Sequence, residues 1–190
     1  MEELKELVKG LEDADADKLI ELVPQIMDKV KEVGFVQVVQ DDELKDFLPN
    51  LREKMGEIDI EQLVPLAKVF LPSIFGGLQE LIENSTDAKE ELANMENMRL
   101  QVAVPDLDVY IFMIIEDGKL TAGDGQIDDP ELKLTMDKAA FIEQMQGKGN
   151  LVNAYMGGQV QLEGPIQKAM AMNTLFEVIA DEYDMDIGLG

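Results

Sequence analysis

The sequence predicts an α+β protein, in which an all-helical N-terminal region precedes an about five-stranded, mainly antiparallel sheet covered by helices. Two changes along the chain predict this fold. Apolar residues recur at intervals of three and four up to about residue 84, which is the period of a helix. From Met98 onward they recur at intervals of two, which is the period of a strand. We therefore expect a helical region over residues 1–84 and an α+β domain over residues 85–190.

The helical period is clearest between Leu19 and Val33, where seven apolar residues fall on one face. A bulky apolar pair is followed by proline at Pro24, Pro49 and Pro65, and each proline predicts a helix start or kink because it lacks a backbone donor. The stretch from Leu63 to Ile82 predicts a buried or amphipathic helix pair. The predicted helix ends are glycines: Gly34, Gly56 and the pair Gly76–Gly77.

Cap and turn residues separate the two regions, and Ser85 or Thr86 predicts the start of a short helix that reaches Met95. Asp117–Gly118 is the strongest hairpin signal in the chain. The strands predicted in the C-terminal region are Arg99–Val104, Val109–Ile115, Lys119–Thr121, Glu131–Met136 and Gln159–Glu163. The helices predicted after them are Asp137–Gln146, Asn150–Met156 and Ile166–Tyr183.

The charge balance excludes several classes of partner. The chain has 40 acidic and 16 basic residues and a formal net charge of −24. Nucleic acid and unaided docking on an anionic membrane both require basic clusters, so we exclude both. Because no segment has the pattern of a signal peptide or a membrane span, we expect a cytoplasmic protein without stable membrane insertion.

The residue inventory argues against catalysis. The absence of Cys and His removes disulfides, thiolate zinc sites, cysteine nucleophiles and Ser-His-Asp triads. A carboxylate-based hydrolase needs a pair of acids in a cleft, and the sequence points to none. The acidic loop that starts at Asp124 fails as an EF-hand, since its sixth position is Asp129 and its twelfth is Thr135. We therefore predict no enzyme activity, no metal and no cofactor.

An ordered set of apolar and glycine residues runs through the C-terminal half. It consists of Leu134-Thr135-Met136, Phe141, Met145, Gly147-Lys148, Ala154-Tyr155-Met156, Gly158, Val160, Leu162, Gly164 and Ala169-Met170. The set resembles the sterol carrier protein, type two, family over residues 97–180. The resemblance implies an apolar tunnel between sheet and helices that holds one lipid. We further expect the last helix to act as a lid over this tunnel.

On this basis we predict that the protein binds a fatty acid, an acyl chain or a sterol-like lipid, as a carrier or a sensor. Methionine side chains suit such a site because they are unbranched and adapt to their occupant. The predicted ligand-binding residues are Ile111, Met113, Ile115, Leu134, Phe141, Met145, Tyr155, Met156, Met170, Leu175 and Phe176. The polar candidates at the mouth are Gln144, Asn153, Tyr155, Gln159 and Asn173.

One alternative stays open from the sequence. The same fold with a filled core would be a structural or interaction module that dimerises or binds a basic protein partner. The small number of basic residues after position 97 also disfavours contact with the phosphates of coenzyme A, because like charges repel.

Overall fold

The structure is a computed structural model that describes residues 1–146 and 148–185, with every side chain in them except that of Ile60. The helices in these residues are α1 (Glu2–Lys9), α2 (Ala16–Val33), α3 (Phe35–Val39), α4 (Phe47–Met55), α5 (Ile60–Asn84), α6 (Thr86–Asn94), α7 (Lys138–Met145), α8 (Leu151–Met156) and α9 (Ile166–Tyr183). The strands are β1 (Met98–Val104), β2 (Val109–Glu116), β3 (Lys119–Asp124), β4 (Leu132–Met136) and β5 (Val160–Glu163). A single turn of 3₁₀ helix, Pro105–Leu107, joins β1 to β2.

The described strands form one five-stranded sheet in the order β3-β2-β1-β4-β5. The pairs β1–β2, β2–β3 and β4–β5 are antiparallel, and β1–β4 is parallel. The β2–β3 hairpin turns at Asp117 and Gly118, whose φ values of 51° and 70° are the positive values that a two-residue hairpin turn requires. The predicted α+β class with a mainly antiparallel sheet is confirmed.

The parallel pairing needs a connection that returns from β3 to β4, and the buried side chain of Gln101 holds it. The Gln101 amide donates to the carbonyl oxygens of Ile111 at 2.8 Å and Gly125 at 3.1 Å. Its own oxygen accepts from the Ile127 N–H at 2.8 Å. All polar atoms of this buried amide are therefore used to fix the connection across the sheet.

The prolines of the helical region interrupt less than predicted. Pro49 lies in the first turn of α4, but Pro24 lies inside α2, and Pro65 and Pro72 lie inside α5. The stretch predicted as a helix pair is therefore one helix of 25 residues. Each proline removes one backbone donor, and the buried side chains along α5, Leu63 and Leu81 among them, provide the packing that keeps the helix continuous.

Gly76 and Gly77 do not end a helix, because Gly77 serves a close contact instead. A Cβ at Gly77 would lie 2.6 Å from the ring of Phe35, so only glycine lets α3 pack this closely on α5. The Glu80 carboxylate of α5 accepts from the N–H groups of Phe35 at 2.7 Å and Val36 at 3.2 Å, which ties the same two helices together.

The other predicted helix ends agree with the structure where it describes them. Gly34 and Gly56 follow α2 and α4 directly, while Gly147 lies outside the described residues. Side-chain caps begin four of the described helices, since Asp15 accepts from the Lys18 N–H, Ser85 from Ala88, Asp137 from Ala140 and Asn150 from Asn153. The boundary between residues 84 and 85 falls where α5 ends, and as a domain boundary it stays a prediction.

Candidate functional site

One face of the sheet forms the floor of an apolar cavity. Strand register brings apolar side chains of neighbouring strands side by side on this face, because alternate residues of a strand share a face. The best example is the row Val102–Leu134–Leu162, which crosses β1, β4 and β5. Val102 and Leu134 lie on inner strands of the sheet and yet, like Leu162 on the edge strand β5, they are only partly buried. The floor residues are Leu100, Val102, Ile111, Met113, Leu132, Leu134, Met136, Val160 and Leu162.

Four helices supply the walls of the cavity, which has a volume of about 490 Å³. Helix α5 contributes Leu71 and Phe75, and α7 contributes Phe141, Gln144 and Met145. The side chains from the last two helices are Leu151, Val152 and Tyr155 of α8 and Ile166, Ala169, Met172, Asn173 and Phe176 of α9. The volume falls within the range of about 300–1,000 Å³ that is usual for small-molecule sites.

The lining is apolar with very few polar groups. Among the described residues, the polar side chains on the cavity wall are Gln144, Asn173 and the Tyr155 hydroxyl, and none is charged. Asn173 donates to the Glu177 carboxylate at 2.6 Å, so this amide has a partner on its own helix. A wall of this kind favours hydrocarbon and gives a ligand only two or three points for hydrogen bonding.

The structure brings most of the predicted ligand-binding residues together on this wall. Those on the wall are Ile111, Met113, Leu134, Phe141, Met145, Tyr155 and Phe176. Of the polar candidates, Gln144, Tyr155 and Asn173 line the cavity, whereas Asn153 and Gln159 do not. That these residues bind a ligand stays a prediction.

Four predicted residues lie away from the cavity. Ile115 and Leu175 are fully buried where the protein's own side chains fill the space. Met156 and Met170 point the other way and are 81% and 64% exposed. Met170 is next to the wall residue Ala169, and neighbours on a helix differ by about 100° in direction, so a shift of one position in the predicted face exchanges them.

The sequence analysis did not predict that residues of the helical region line the cavity. Leu71 and Phe75 belong to α5, four residues apart and on one side of the helix. Their apolar spacing was visible in the sequence, but it predicts only a buried face and not the surface that this face covers. The cavity is thus built from both halves of the chain.

The two halves of α9 are held differently. Its second half is fixed to α5 and α6, because the Tyr183 hydroxyl donates to the Leu81 carbonyl at 3.1 Å and Ser85 donates to the Glu182 carboxylate. Burial, together with the negative charges of Glu182 and Glu80, raises the pKa of Tyr183. Its first half, which lines the cavity, is attached through the Lys168 ammonium to the Asn97 carbonyl at 2.7 Å and the Glu131 carboxylate at 3.0 Å.

A smaller cleft of about 310 Å³ adjoins the cavity and shares Leu71 and Ile111 with it. Its other lining residues include Lys68, Asp108 and Asp124, so it has charges of both signs. Within residues 1–146 and 148–185, acidic side chains nowhere gather in a group of three or more that could hold a metal ion. No helix in the described part of the chain is long and apolar enough to cross a membrane.

Comparison with known families decides the relationship. The model of the SCP-2 sterol transfer family matches residues 78–177, which is more than half of the chain. The chain belongs to the SCP-2 sterol transfer family. The match confirms the resemblance found in the C-terminal half, and it supports lipid binding in general. It begins inside α5, so Leu71 and Phe75 of the cavity wall precede the matched residues.

Solved structures of similar fold include members of this family. The sterol carrier protein domain 2 of Helicoverpa armigera is 22% identical, with 60% of this chain and 89% of that chain covered and a TM-score of 0.43. A ubiquinone synthesis protein, UbiJ-SCP2, is 14% identical over 58% of this chain and 98% of that chain, with a TM-score of 0.43.

A longer structure aligns with most of this chain. The stereoselective inverting sec-alkylsulfatase Pisa1 from Pseudomonas sp. is 17% identical, with a TM-score of 0.41, and the alignment covers 92% of this chain and 31% of that chain. This chain therefore spans about a third of that protein. No curated protein matches the chain. At these identities and TM-scores, the structural likenesses carry no conclusion about ligand or activity.

Proposed function

We propose that this SCP-2 family protein binds a fatty acid, an acyl chain or a sterol-like lipid in the cavity between sheet and helices, as a non-enzymatic carrier or sensor. The row Val102–Leu134–Leu162 carries the proposal. Apolar side chains on inner strands, such as Val102 and Leu134, are normally covered, and here they face open space instead. An apolar ligand on this row would complete the burial that the protein leaves unfinished.

The energy of binding would come from the hydrocarbon. Each methylene group that leaves water contributes about 0.8 kcal/mol, so a chain of ten or more carbons offsets the cost of association without a strong polar contact. The uncharged wall suits a hydrocarbon ligand, since a charge buried beside an alkyl chain would lose its hydration without a partner. Gln144, Tyr155 and Asn173 are the polar groups of the described wall that a polar head would meet, and they would tune selectivity more than affinity.

The same wall supports a role without catalysis. Among its described residues, Tyr155 has the sole titratable side chain, and it is half-exposed near the mouth. A nucleophile with an adjacent base, or a pair of carboxylates, would be expected on the wall of an enzyme that acts on the bound ligand. Carriage or sensing requires only that the ligand enter and leave.

The filled-core alternative explains the open floor less well. A module that uses this fold only for protein contacts would gain stability from closing the cavity, because each unfilled apolar space loses packing energy. A volume of about 490 Å³ is large for a defect of packing.

Release of ligand would need only the first half of α9 to move, while the anchors at Ser85 and Tyr183 keep the second half in place.

The test is displacement of a fluorescent fatty acid, cis-parinaric acid, combined with native mass spectrometry of freshly purified protein. We expect the wild type to bind the probe, to release it when palmitate is added and to carry co-purified lipid. The variant Ala169→Trp places a large side chain on the cavity wall, so it should lower probe affinity at least about tenfold while the protein stays folded.

The matched control is Ala171→Trp, which makes the same change on the same helix at a position off the cavity wall. Since the natural chain lacks tryptophan, each variant also has a single indole whose emission reports its surroundings. Equal probe affinity in both variants, or a wild type that neither binds the probe nor carries lipid, would contradict the proposed function and favour the interaction module.

A further inference from the structure

Exposed apolar side chains gather around the opening of the cavity. Five large apolar side chains on α8 and the first half of α9 are exposed: Val152 at 66%, Tyr155 at 51%, Met156 at 81%, Ile166 at 52% and Met170 at 64%. In the rest of the described chain, the comparably exposed large apolar side chains are Met1, Ile20 and Val69, which lie on separate elements at about 40% or less. We call the first group the mouth patch. Its size and concentration distinguish it from the scattered apolar exposure of ordinary surfaces.

The mouth patch adjoins the cavity on both helices. Val152 and Met156 are four residues apart on α8, and Ile166 and Met170 are four apart on α9, so each pair shares a helix face. Val152, Tyr155 and Ile166 also line the cavity. The patch therefore begins at the rim of the cavity and extends outward by one further turn on each helix.

Charge is excluded from the patch, although the chain as a whole is strongly acidic. Residues 149–176 contain one acidic residue, Glu163, and one basic residue, Lys168, whereas an even distribution of the 40 acidic residues would put about six in this stretch. The Lys168 ammonium already binds the Asn97 carbonyl and Glu131. The patch is thus a neutral apolar surface on a molecule with a net charge of −24.

We propose that the mouth patch docks on the surface of a zwitterionic, net-neutral lipid bilayer. Apolar side chains exposed on neighbouring helices can enter the boundary between headgroups and acyl chains without spanning the bilayer. A bilayer rich in anionic lipid would repel a chain of this charge, and so would a second copy of the protein. Docking by this surface turns the opening of the cavity toward the acyl chains of the bilayer.

This docking extends the proposed function to the membrane with which ligand is exchanged, but vesicle binding can be measured without any loaded ligand. The test is flotation with phosphatidylcholine vesicles and, in parallel, with phosphatidylserine-rich vesicles at low salt. We expect wild type to bind phosphatidylcholine vesicles reversibly, and this binding should depend little on salt. Binding to the anionic vesicles should be weaker.

Two variants remove apolar character from the patch without touching the cavity wall: Met156→Asp and Met170→Asp. Each should weaken binding to phosphatidylcholine about tenfold, because a charged side chain replaces a large apolar one that would be buried in the bilayer. The control is Ile20→Asp, which adds the same charge at an exposed apolar position on α2 and should bind as wild type does.

The affinity for cis-parinaric acid in solution separates this proposal from the function on which it builds. Unchanged probe affinity with lost vesicle binding in both patch variants supports the docking surface. Failure of wild type to float with phosphatidylcholine, stronger binding to the anionic vesicles, or an equal effect of Ile20→Asp overturns it. A wild-type dimer in analytical ultracentrifugation that Met156→Asp dissociates also overturns it, since a second copy would then cover the patch. Vesicle binding without probe binding would overturn the ligand proposal alone.

Discussion

The two ends of one sheet face differ although their residues are alike. At one end the neighbouring side chains Met98, Ile115 and Leu120 are buried, and α5 is fixed above them by the Gln79 amide, which donates to the Leu120 carbonyl at 2.7 Å. At the other end the row Val102–Leu134–Leu162 is only partly buried. The comparison teaches that the covering helices, and not the strands, decide where this sheet stays open.

The covering helices differ in length and attachment. The closed end has α5, with 25 residues, and α6, with a buried serine cap, and both contact β3. The open end has α8, with six residues, none of them fully buried, and a first half of α9 in which Met172 is buried and the other residues are exposed or partly buried. A short helix with little buried area has low local stability, so the open end is the part of the domain from which we expect motion.

The sharpest comparison is a truncation of one side chain at each end. Ile115→Ala should lower the free energy of unfolding by about 2–5 kcal/mol, because it leaves a hole in packed surroundings. Leu134→Ala removes the same number of carbon atoms but should cost about 1–2 kcal/mol, since its side chain already faces the cavity. Urea unfolding of ligand-free protein measures both. Equal losses would mean that the open end is packed in solution.

The helix caps offer a smaller contrast. Ser85→Ala should cost about 1–2 kcal/mol, because the Ala88 N–H loses its side-chain acceptor at the start of α6 and the Glu182 carboxylate of α9 loses the hydroxyl that donates to it. The affinity for cis-parinaric acid should change little, because neither Ser85 nor Glu182 lies on the cavity wall. Asn150→Ala removes the matching cap of α8 at the open end. It should change the free energy of unfolding less and the probe affinity more, by a few-fold. The reverse pattern in fluorescence titration and urea unfolding would refute the distinction between the ends.

The smallest expected effect concerns the anchor of α9. Tyr183→Phe should cost about 0.5–1.5 kcal/mol at neutral pH, because the Leu81 carbonyl loses the hydroxyl donor and keeps only the Ser85 N–H. Since the folded state raises the pKa of Tyr183, folding favours the protonated hydroxyl. Its contribution is present below the ordinary pKa of 10.0 and is lost as the pH rises through the folded value. The difference between wild type and variant in urea unfolding should therefore shrink above pH 10. A difference in the free energy of unfolding that stays constant with pH would contradict this link between the Tyr183 proton and the hydrogen bond to Leu81.

Local signals in the sequence predicted the C-terminal elements well. Strand alternation, the Asp117–Gly118 turn and the caps Asp137 and Asn150 act over a few residues, and the structure has each element within a few residues of its predicted bounds. Features that depend on distant contacts were predicted less well. The parallel pairing of β1 with β4 and the continuity of α5 through its prolines and glycines come from tertiary packing, which no local pattern encodes.

The rotation of α9 explains why the predicted residue Met170 lies off the cavity wall. Both sides of its first half carry apolar side chains, Ala169 and Met172 toward the cavity and Ile166 and Met170 more exposed. A helix that is apolar on several sides has no single face that periodicity can assign to the interior. The sequence therefore pointed to this helix, but of its predicted residues Phe176 lies on the cavity wall and Met170 does not, whereas Ala169 and Met172 line the wall without having been predicted.

The single helix α5 connects parts of the molecule that the sequence analysis treated separately. Phe75, on the cavity wall, lies two residues from Gly77, where the ring of Phe35 rests, and five from Glu80, which binds the start of α3. Any molecule that shifts α3 against α5 would therefore displace part of the cavity wall. By thermodynamic reciprocity, an occupant of the cavity would change the affinity for that molecule by the same factor.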